Sequence, residues 1–162
     1  MSVVIRTERL ELRALDAESA RSVLRGAPPG DIAWAYGYPL PFTLEAAAIV
    51  LGDEPGAHRR GPFVSFQILR RADSLVVGDC GFGARPDSEG LVEIRHELVG
   101  HSRRRGLESE ALEALIGFAF TRDEVVAVRA WAPAADPTAQ RTLERAGMMR
   151  VGEQDERVCF EA

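Results

Sequence analysis

The sequence is short of several things that would fix its role quickly. No apolar run approaches the roughly 18 residues that a membrane-spanning helix needs. The opening MSVVIRTERL lacks the apolar core of a secretory signal, so the expectation is a cytoplasmic protein with no membrane partner. Positive charge is scarce too, with 20 basic against 25 acidic residues and a net charge of -5. That balance argues against a general nucleic-acid binder, which needs a basic surface, and any anion site must be local. Cysteine is limited to Cys80 and Cys159, too far apart for a CxxC motif and both in strand-like stretches. They read as buried free thiols of a reducing compartment.

Familiar motifs are missing as well. There is no GxxxxGK[ST] phosphate loop. GDCGFG, residues 78–83, carries glycines at the wrong spacing for GxGxxG, and no helix follows, so a strand kink or bulge is expected there. His96, Glu97 and His101 form HExxxH, one residue off the zinc motif, on a strand and its exit loop where helical i,i+4 spacing does not apply. No metal site is expected. No Ser/His/Asp or Cys/His arrangement can be read, and His58, His96 and His101 read first as surface or structural residues.

What is present is an ordinary globular composition, 162 residues with 46% apolar and 28% charged. It is enough for one domain, taken as residues 1–162, with a sizeable core. VVIRTERLELRAL alternates like a half-buried strand. Asp16 caps a helix that Gly26 ends. GDIAWAYGYPLPF reads as an aromatic loop, and Thr43 begins a short helix. FVSFQILRR, SLVVGDCGF and LVEIRHELV read as strands joined by turns, followed by a long helix to Phe120. EVVAVRAWA is a strand, DPTAQRTLERAG a helix with Asp136 as N-cap and Pro137 at its first position, and MMRVGE and RVCFEA a final hairpin. Meander strands before a βαβ crossover predict a mixed, mostly antiparallel α/β (α+β) sheet with helices on both faces.

The stretch SRRRGLESEALEALIGFAF, residues 102–120, carries the functional signal. A helix N-terminus attracts anions through its unpartnered N–H groups and its dipole. Arg103, Arg104 and Arg105 strengthen that attraction, and Gly106 lets a backbone approach closely. The bland alternative is a solvated basic turn. Glu108 opposes the attraction: at about 5 Å from a phosphate it would cost on the order of 3 kcal/mol at an effective dielectric of about 20. One expectation is that Glu108 folds onto the arginines and occupies the anion site itself. The other is that it merely sits in the first helical turn, where a carboxylate suits the dipole.

VEIRHELV followed by RRRGLE and SEALEALIGFAF resembles the GNAT acyltransferase family, whose pattern is a strand, then [QR]-x-x-G-x-[GA], then a helix. The branch that acetylates protein N-termini and small amines is the nearest in kind. DPTAQRTLERAGM is similar to the family's second cofactor segment, and TERLELRAL to its first strand. The resemblance implies a sheet whose strands splay at the cofactor site. Acetyl-CoA would be the co-substrate, held by Arg103, Arg104, Arg105, Gly106, Leu107 and Glu108 around its pyrophosphate. Leu98 and Val99 would lie along its pantetheine, with Asp136 in the second segment. The sequence departs from the family pattern at Glu108, Asp136 and Ala139, which stand where a small residue, Asn and Ser are expected.

Acetyl transfer needs a base for the amine. Glu93, at an acidic position common in the family, is the first candidate, with a structural or substrate-binding carboxylate as the alternative; His96 is the second. Trp34, Tyr36, Tyr38 and Phe42 either wall the acceptor pocket or pack the loop. The leading expectation is an N-acetyltransferase acting on a primary amine of a small molecule or a protein N-terminus. The alternative is a GNAT-fold protein that binds a ligand or protein without catalysis. Protein N-terminus, aminoglycoside, polyamine and amino acid all remain open as acceptors, and a homodimer is admitted by the family.

Overall fold

A computed structural model describes residues 2–52 and 60–162, with backbone alone at 104 and 105. His58 lies outside the described residues. The elements run β1 (Val4–Arg6), β2 (Leu10–Ala14), α1 (Ala17–Arg25), β3 (Ala33–Trp34), α2 (Pro41–Leu51), β4 (Ser65–Arg70), β5 (Leu75–Phe82) and β6 (Leu91–Leu98). A 3-10 turn (Gly100–Arg105) leads into α3 (Leu107–Phe120), β7 (Ala127–Pro133), α4 (Pro137–Arg145), β8 (Met149–Gln154) and β9 (Arg157–Glu161).

The sheet order is β1-β2-β4-β5-β6-β7-β9-β8, with β3 added beside β5. The pairs β3/β5 and β6/β7 are parallel and the others antiparallel. Cross-strand register shows that helices cover both faces. Cys80 opposes His96, and His96 bonds Glu108 of α3. The neighbouring pair, Asp79 opposite Glu97, points the other way, and there Asp79 is bonded by Thr43 of α2. The main core lies between the sheet and α3, where Leu107, Ala111, Leu112 and Leu115 meet Phe66, Ile94 and Val128, all at most 2% exposed. A smaller cluster joins α1 to α2 through Ala20, Val23 and Ala47. Among the described residues no helix is long and apolar enough to cross a membrane.

Local chemistry accounts for the boundaries. The Asp16 side chain accepts from Ser19 N–H at the start of α1, and Gly26, at φ 73°, ends it. Asp136 caps α4 through Ala139 N–H, with Pro137 at its first position. Two expectations are corrected. The opening strand is a hairpin, because Thr7 closes a turn on Leu10 and Glu110 of α3 takes both the Thr7 hydroxyl and the Arg9 N–H. The helix placed at Thr43 begins at Pro41, whose fixed φ suits a first turn. The aromatic loop also contributes β3, which alternation could not show in a two-residue strand.

The bulge expected in the glycine run 78–83 lies one residue before it, at Val77, and the run itself pairs regularly from Gly78 to Gly81. The β4/β5 register shifts between Ile68 and Leu69, so that Gly78 pairs with Ile68 and Val76 with Leu69 while Val77 is extra. A Cβ on Gly78 would lie 2.2 Å from the Glu97 carbonyl, and one on Gly81 would lie 2.6 Å from Ser65 Cα. Both glycines therefore allow strands to approach, not a phosphate. Cys80 and Cys159 are free and buried, and burial pushes both thiols up from their usual range.

Candidate functional site

The site is built where two parallel strands stop pairing. β6 and β7 are in register at Leu91/Ala127, Val92/Val128 and Glu93/Arg129. Beyond Glu93 the strands run on to Leu98 and Pro133 without a ladder, which leaves a wedge between them. The wedge opens into a cleft of about 370 Å³ on the α2 side, lined by Phe42, Glu93, Arg95, Glu97, Trp131 and Arg157. On the α3 side a passage of about 290 Å³ runs past Arg103, Glu108, Asp136 and Ala139. It continues into a groove of about 470 Å³ under Gly100, Gly106, Arg141 and Arg145. His96, Glu97 and Trp131 line both the cleft and the passage, while Arg103, Glu108 and Thr138 line both the passage and the groove. Sharing these walls, the three cavities line up as a channel across the sheet.

The α3 end of this channel suits an anion. The 3-10 turn brings Arg103 alongside β6, where its Nε donates to the Leu98 carbonyl at 3.2 Å. Gly106 takes φ 70°, a left-handed conformation that turns the chain into α3, and Gly106, Glu108 and Ser109 line the groove. Opposite stands α4, whose Thr138, Arg141, Thr142 and Arg145 share one helix face by their i, i+3, i+4, i+7 spacing. That face was readable in TAQRTLER and is the chief feature that motif reasoning missed. The Val99 N–H is bonded to the Val77 carbonyl, so Leu98 and Val99 are both tied into their own sheet and turn.

Glu108 does not fold onto the described arginine. Its Oε1 lies 2.6 Å from His96 Nδ1, and the two side chains are 15% and 14% exposed. The reason is geometric: Glu108 is the second residue of α3, directly over the face of β6 to which His96 alternates. Asp136 is accounted for as the α4 cap, and Ala139 packs against the core.

The α2 end is aromatic and carries charge of both signs, Glu93 and Glu97 with Arg95 and Arg157. Trp131 Nε1 donates to Glu93 Oε2 at 3.3 Å, and the Arg157 guanidinium lies 4.5 Å from the Trp131 ring centroid. Behind it sits a buried polar group. Tyr38 donates to Asp79 Oδ1 at 2.8 Å, Gln67 Nε2 donates to the Tyr38 hydroxyl at 2.9 Å, and Thr43 donates to Asp79 Oδ2. Burial raises the Asp79 carboxyl to about 7, against the hydrogen bonds from Thr43 and Tyr38, and the Glu97 charge adds to the rise. Burial, then Asp79, pushes Tyr38 well above its usual range.

The aromatic loop is thereby sorted. Tyr38 is 7% exposed and belongs to this buried network. Trp34 packs edge-on against it at 5.6 Å. Tyr36 is 93% exposed. Of the aromatic residues in that loop, Phe42 lines the cleft. A further cavity of about 540 Å³ near Arg9, Arg70, Arg71 and Leu107 offers no such chemistry. Arg70 is paired with Asp73 and Arg71 with the Thr7 carbonyl. Among the described residues no His, Cys, Asp and Glu cluster could hold a metal ion.

Comparison with known proteins gives this arrangement a lineage. The acetyltransferase (GNAT) domain matches residues 9–149. The N-acetyltransferase YjdG of Bacillus subtilis, itself uncharacterized, is 32% identical over 87 residues, 54% of this chain and 52% of YjdG. The p20 N-acetyltransferase of Bacillus licheniformis, also uncharacterized, is 28% identical over 116 residues, 71% of this chain and 65% of p20. The chain therefore spans between about half and two thirds of these relatives. A RimL ribosomal L7/L12 alpha-N-protein acetyltransferase, solved with coenzyme A, superposes with TM-score 0.72 at 18% identity, covering 99% of this chain and 97% of that one. At that identity the likeness speaks for the fold.

Proposed function

Because this chain belongs to the GNAT acetyltransferase family, we propose that it is an N-acetyltransferase moving the acetyl group of acetyl-CoA to a primary amine. The observation that carries this reading is the channel at the β6/β7 wedge, with Arg103, Arg141 and Arg145 at one end and the carboxylates Glu93 and Glu97, beside Arg95 and Arg157, at the other. Acetyl-CoA supplies a thioester whose carbonyl carbon accepts the amine. The residues fit such a group. Arg103, Arg141 and Arg145, with the N–H groups after Gly106, would hold the phosphates, and the unpaired edge of β6 past Glu93 would lie along the pantetheine arm.

The acceptor enters from the opposite face. Glu93 and Glu97 would give an ammonium carboxylate partners in the cleft, Trp131 and Phe42 provide its apolar walls, and the Trp131 hydrogen bond holds Glu93 at the point of divergence. The open cleft admits a small amine or the N-terminus of a protein. The family departures do not obstruct this reading, since Glu108 is engaged by His96 and Asp136 by its own helix.

Calorimetric titration with CoA, followed by thiol release from acetyl-CoA with a panel of amines, tests the proposal. Micromolar binding and amine-dependent release are expected. The chain contains no lysine, so release has no lysine side chain of the enzyme to come from. Absence of binding up to millimolar CoA would rule the activity out.

A further inference from the structure

Glu108 is the residue that motif reasoning treats as a fault, and its position gives it a use. Its contact with His96 joins α3 to β6 at 2.6 Å, with both groups mostly withdrawn from water. A carboxylate only accepts, so the imidazole nitrogen facing it carries the proton. That nitrogen is Nδ1. In the neutral ring Nε2 then keeps its lone pair, and no described residue bonds it. His96 lines both the acceptor cleft and the passage toward the phosphate end. It therefore stands where amine and thioester would meet, whereas Glu93 lies at the closed end of the wedge, where the strands part, and already accepts the Trp131 indole.

We propose that His96 is the base that deprotonates the acceptor, and that Glu108 is a positioning residue that fixes its Nδ1–H tautomer and ring orientation. This assignment rests on the acyltransferase reading. The same division of labour, a base oriented by a third group, underlies carboxylate–histidine catalysis generally. Nε2 takes one proton from the ammonium form of the acceptor and later gives it to solvent. The free amine nitrogen forms the new C–N bond, the C–S bond breaks with its electron pair on sulfur, and the second proton lost by nitrogen ends on the thiolate. The amide keeps the third.

Other charges line the two cavities around His96. Glu93 and Glu97 on β6 and Asp136 before α4 are set against Arg95 on β6, Arg103 on the 3-10 turn and Arg157 on β9. Cys80 of β5 faces His96 across the ladder as a buried thiol. None of these forms a hydrogen bond or ion pair with the imidazole, whose partner is Glu108, so Glu108 governs its tautomer.

The test is nitrogen NMR of histidine-labelled protein together with steady-state kinetics. The chain has 3 histidines, and His96→Gln assigns the signal. In the wild type, neutral His96 is expected with Nδ1 protonated and Nε2 bare. Glu108→Leu should return it to the Nε2–H form and lower kcat on the order of tenfold to a hundredfold, with CoA affinity within about twofold. Glu108→Gln, which keeps an acceptor oxygen and the side-chain shape, should retain the tautomer and part of the rate. An Nε2–H tautomer in the wild type would overturn the proposal. So would unchanged kcat in His96→Gln, or Glu108→Leu with unchanged kcat and tenfold tighter CoA, which would make the pair an obstruction. If the wild type transfers acetyl to no amine, the acyltransferase reading falls, and the role of His96 falls with it whatever its tautomer.

Discussion

Trp131 Nε1 donates to Glu93 Oε2 at 3.3 Å across the level at which β6 and β7 part. A strand residue two positions past the last ladder pair thus reaches back to hold the last acidic side chain before the wedge. Arg157 stacks on the outer face of the same indole. Glu93→Gln should therefore raise the acceptor KM about tenfold by removing the charge that attracts an ammonium, while leaving CoA affinity within about twofold. Trp131→Phe should act in the same direction more weakly. Kinetics with acceptor and CoA varied separately check both, and an equal rise in the two constants would contradict the assignment.

At the other end, Arg141 and Arg145 face the turn carrying Arg103 across one groove. Arg141→Glu should weaken CoA binding on the order of tenfold or more at low salt, with the deficit shrinking as ionic strength rises. Acetyl-pantetheine, which lacks the phosphates, should be used equally by both proteins. Calorimetry at low and high salt measures the first effect, and a thiol-release comparison of the two donors the second.

The Asp79 carboxyl is raised by burial to about 7. The folded protein therefore holds a proton there that the unfolded chain, near 4, has lost. Stability from this group is complete below about pH 4, declines as pH rises toward 7, and is constant beyond. The full span is at most about 4 kcal/mol. Asp79→Asn should flatten this part of the pH dependence. Urea denaturation midpoints of the two proteins between pH 4 and 8 provide the comparison, and parallel curves would show that Asp79 does not titrate there.

Gly78 supports the end of β6 from the β5 side. Its α-hydrogen faces the Glu97 carbonyl, which a Cβ would approach to 2.2 Å. Gly78→Ala should push the end of β6 outward, cost about 2–3 kcal/mol, and weaken CoA binding more than the same change at Gly152, where a Cβ meets nothing within 4 Å. Thermal melts and CoA titrations of both variants measure this.

Element types were legible wherever a local signal sufficed. The caps at Asp16 and Asp136 and Gly26 as a helix end each follow from one residue's own conformational or hydrogen-bonding preference. The early hairpin was not legible, because the partner that stabilises its turn is Glu110, 103 residues beyond Thr7. Tyr38 was one of several aromatic candidates until its hydroxyl was placed on a buried carboxylate.

By itself the sequence determined an acyltransferase-like order of elements and a cationic helix entrance at residues 103–106, because periodicity, caps and glycine placement act over a few residues. Only the tertiary structure decided what Glu108 does. Its charge reads as repulsion toward a phosphate when Arg103 to Arg105 are its only visible neighbours, and as a hydrogen-bond acceptor once the strand twelve residues earlier is folded beneath it. The same holds for the α4 arginines and for Trp131 beside Glu93. Electrostatic and hydrogen-bond roles depend on distance in space, and distance between residues on different elements is set by the packing of the whole sheet.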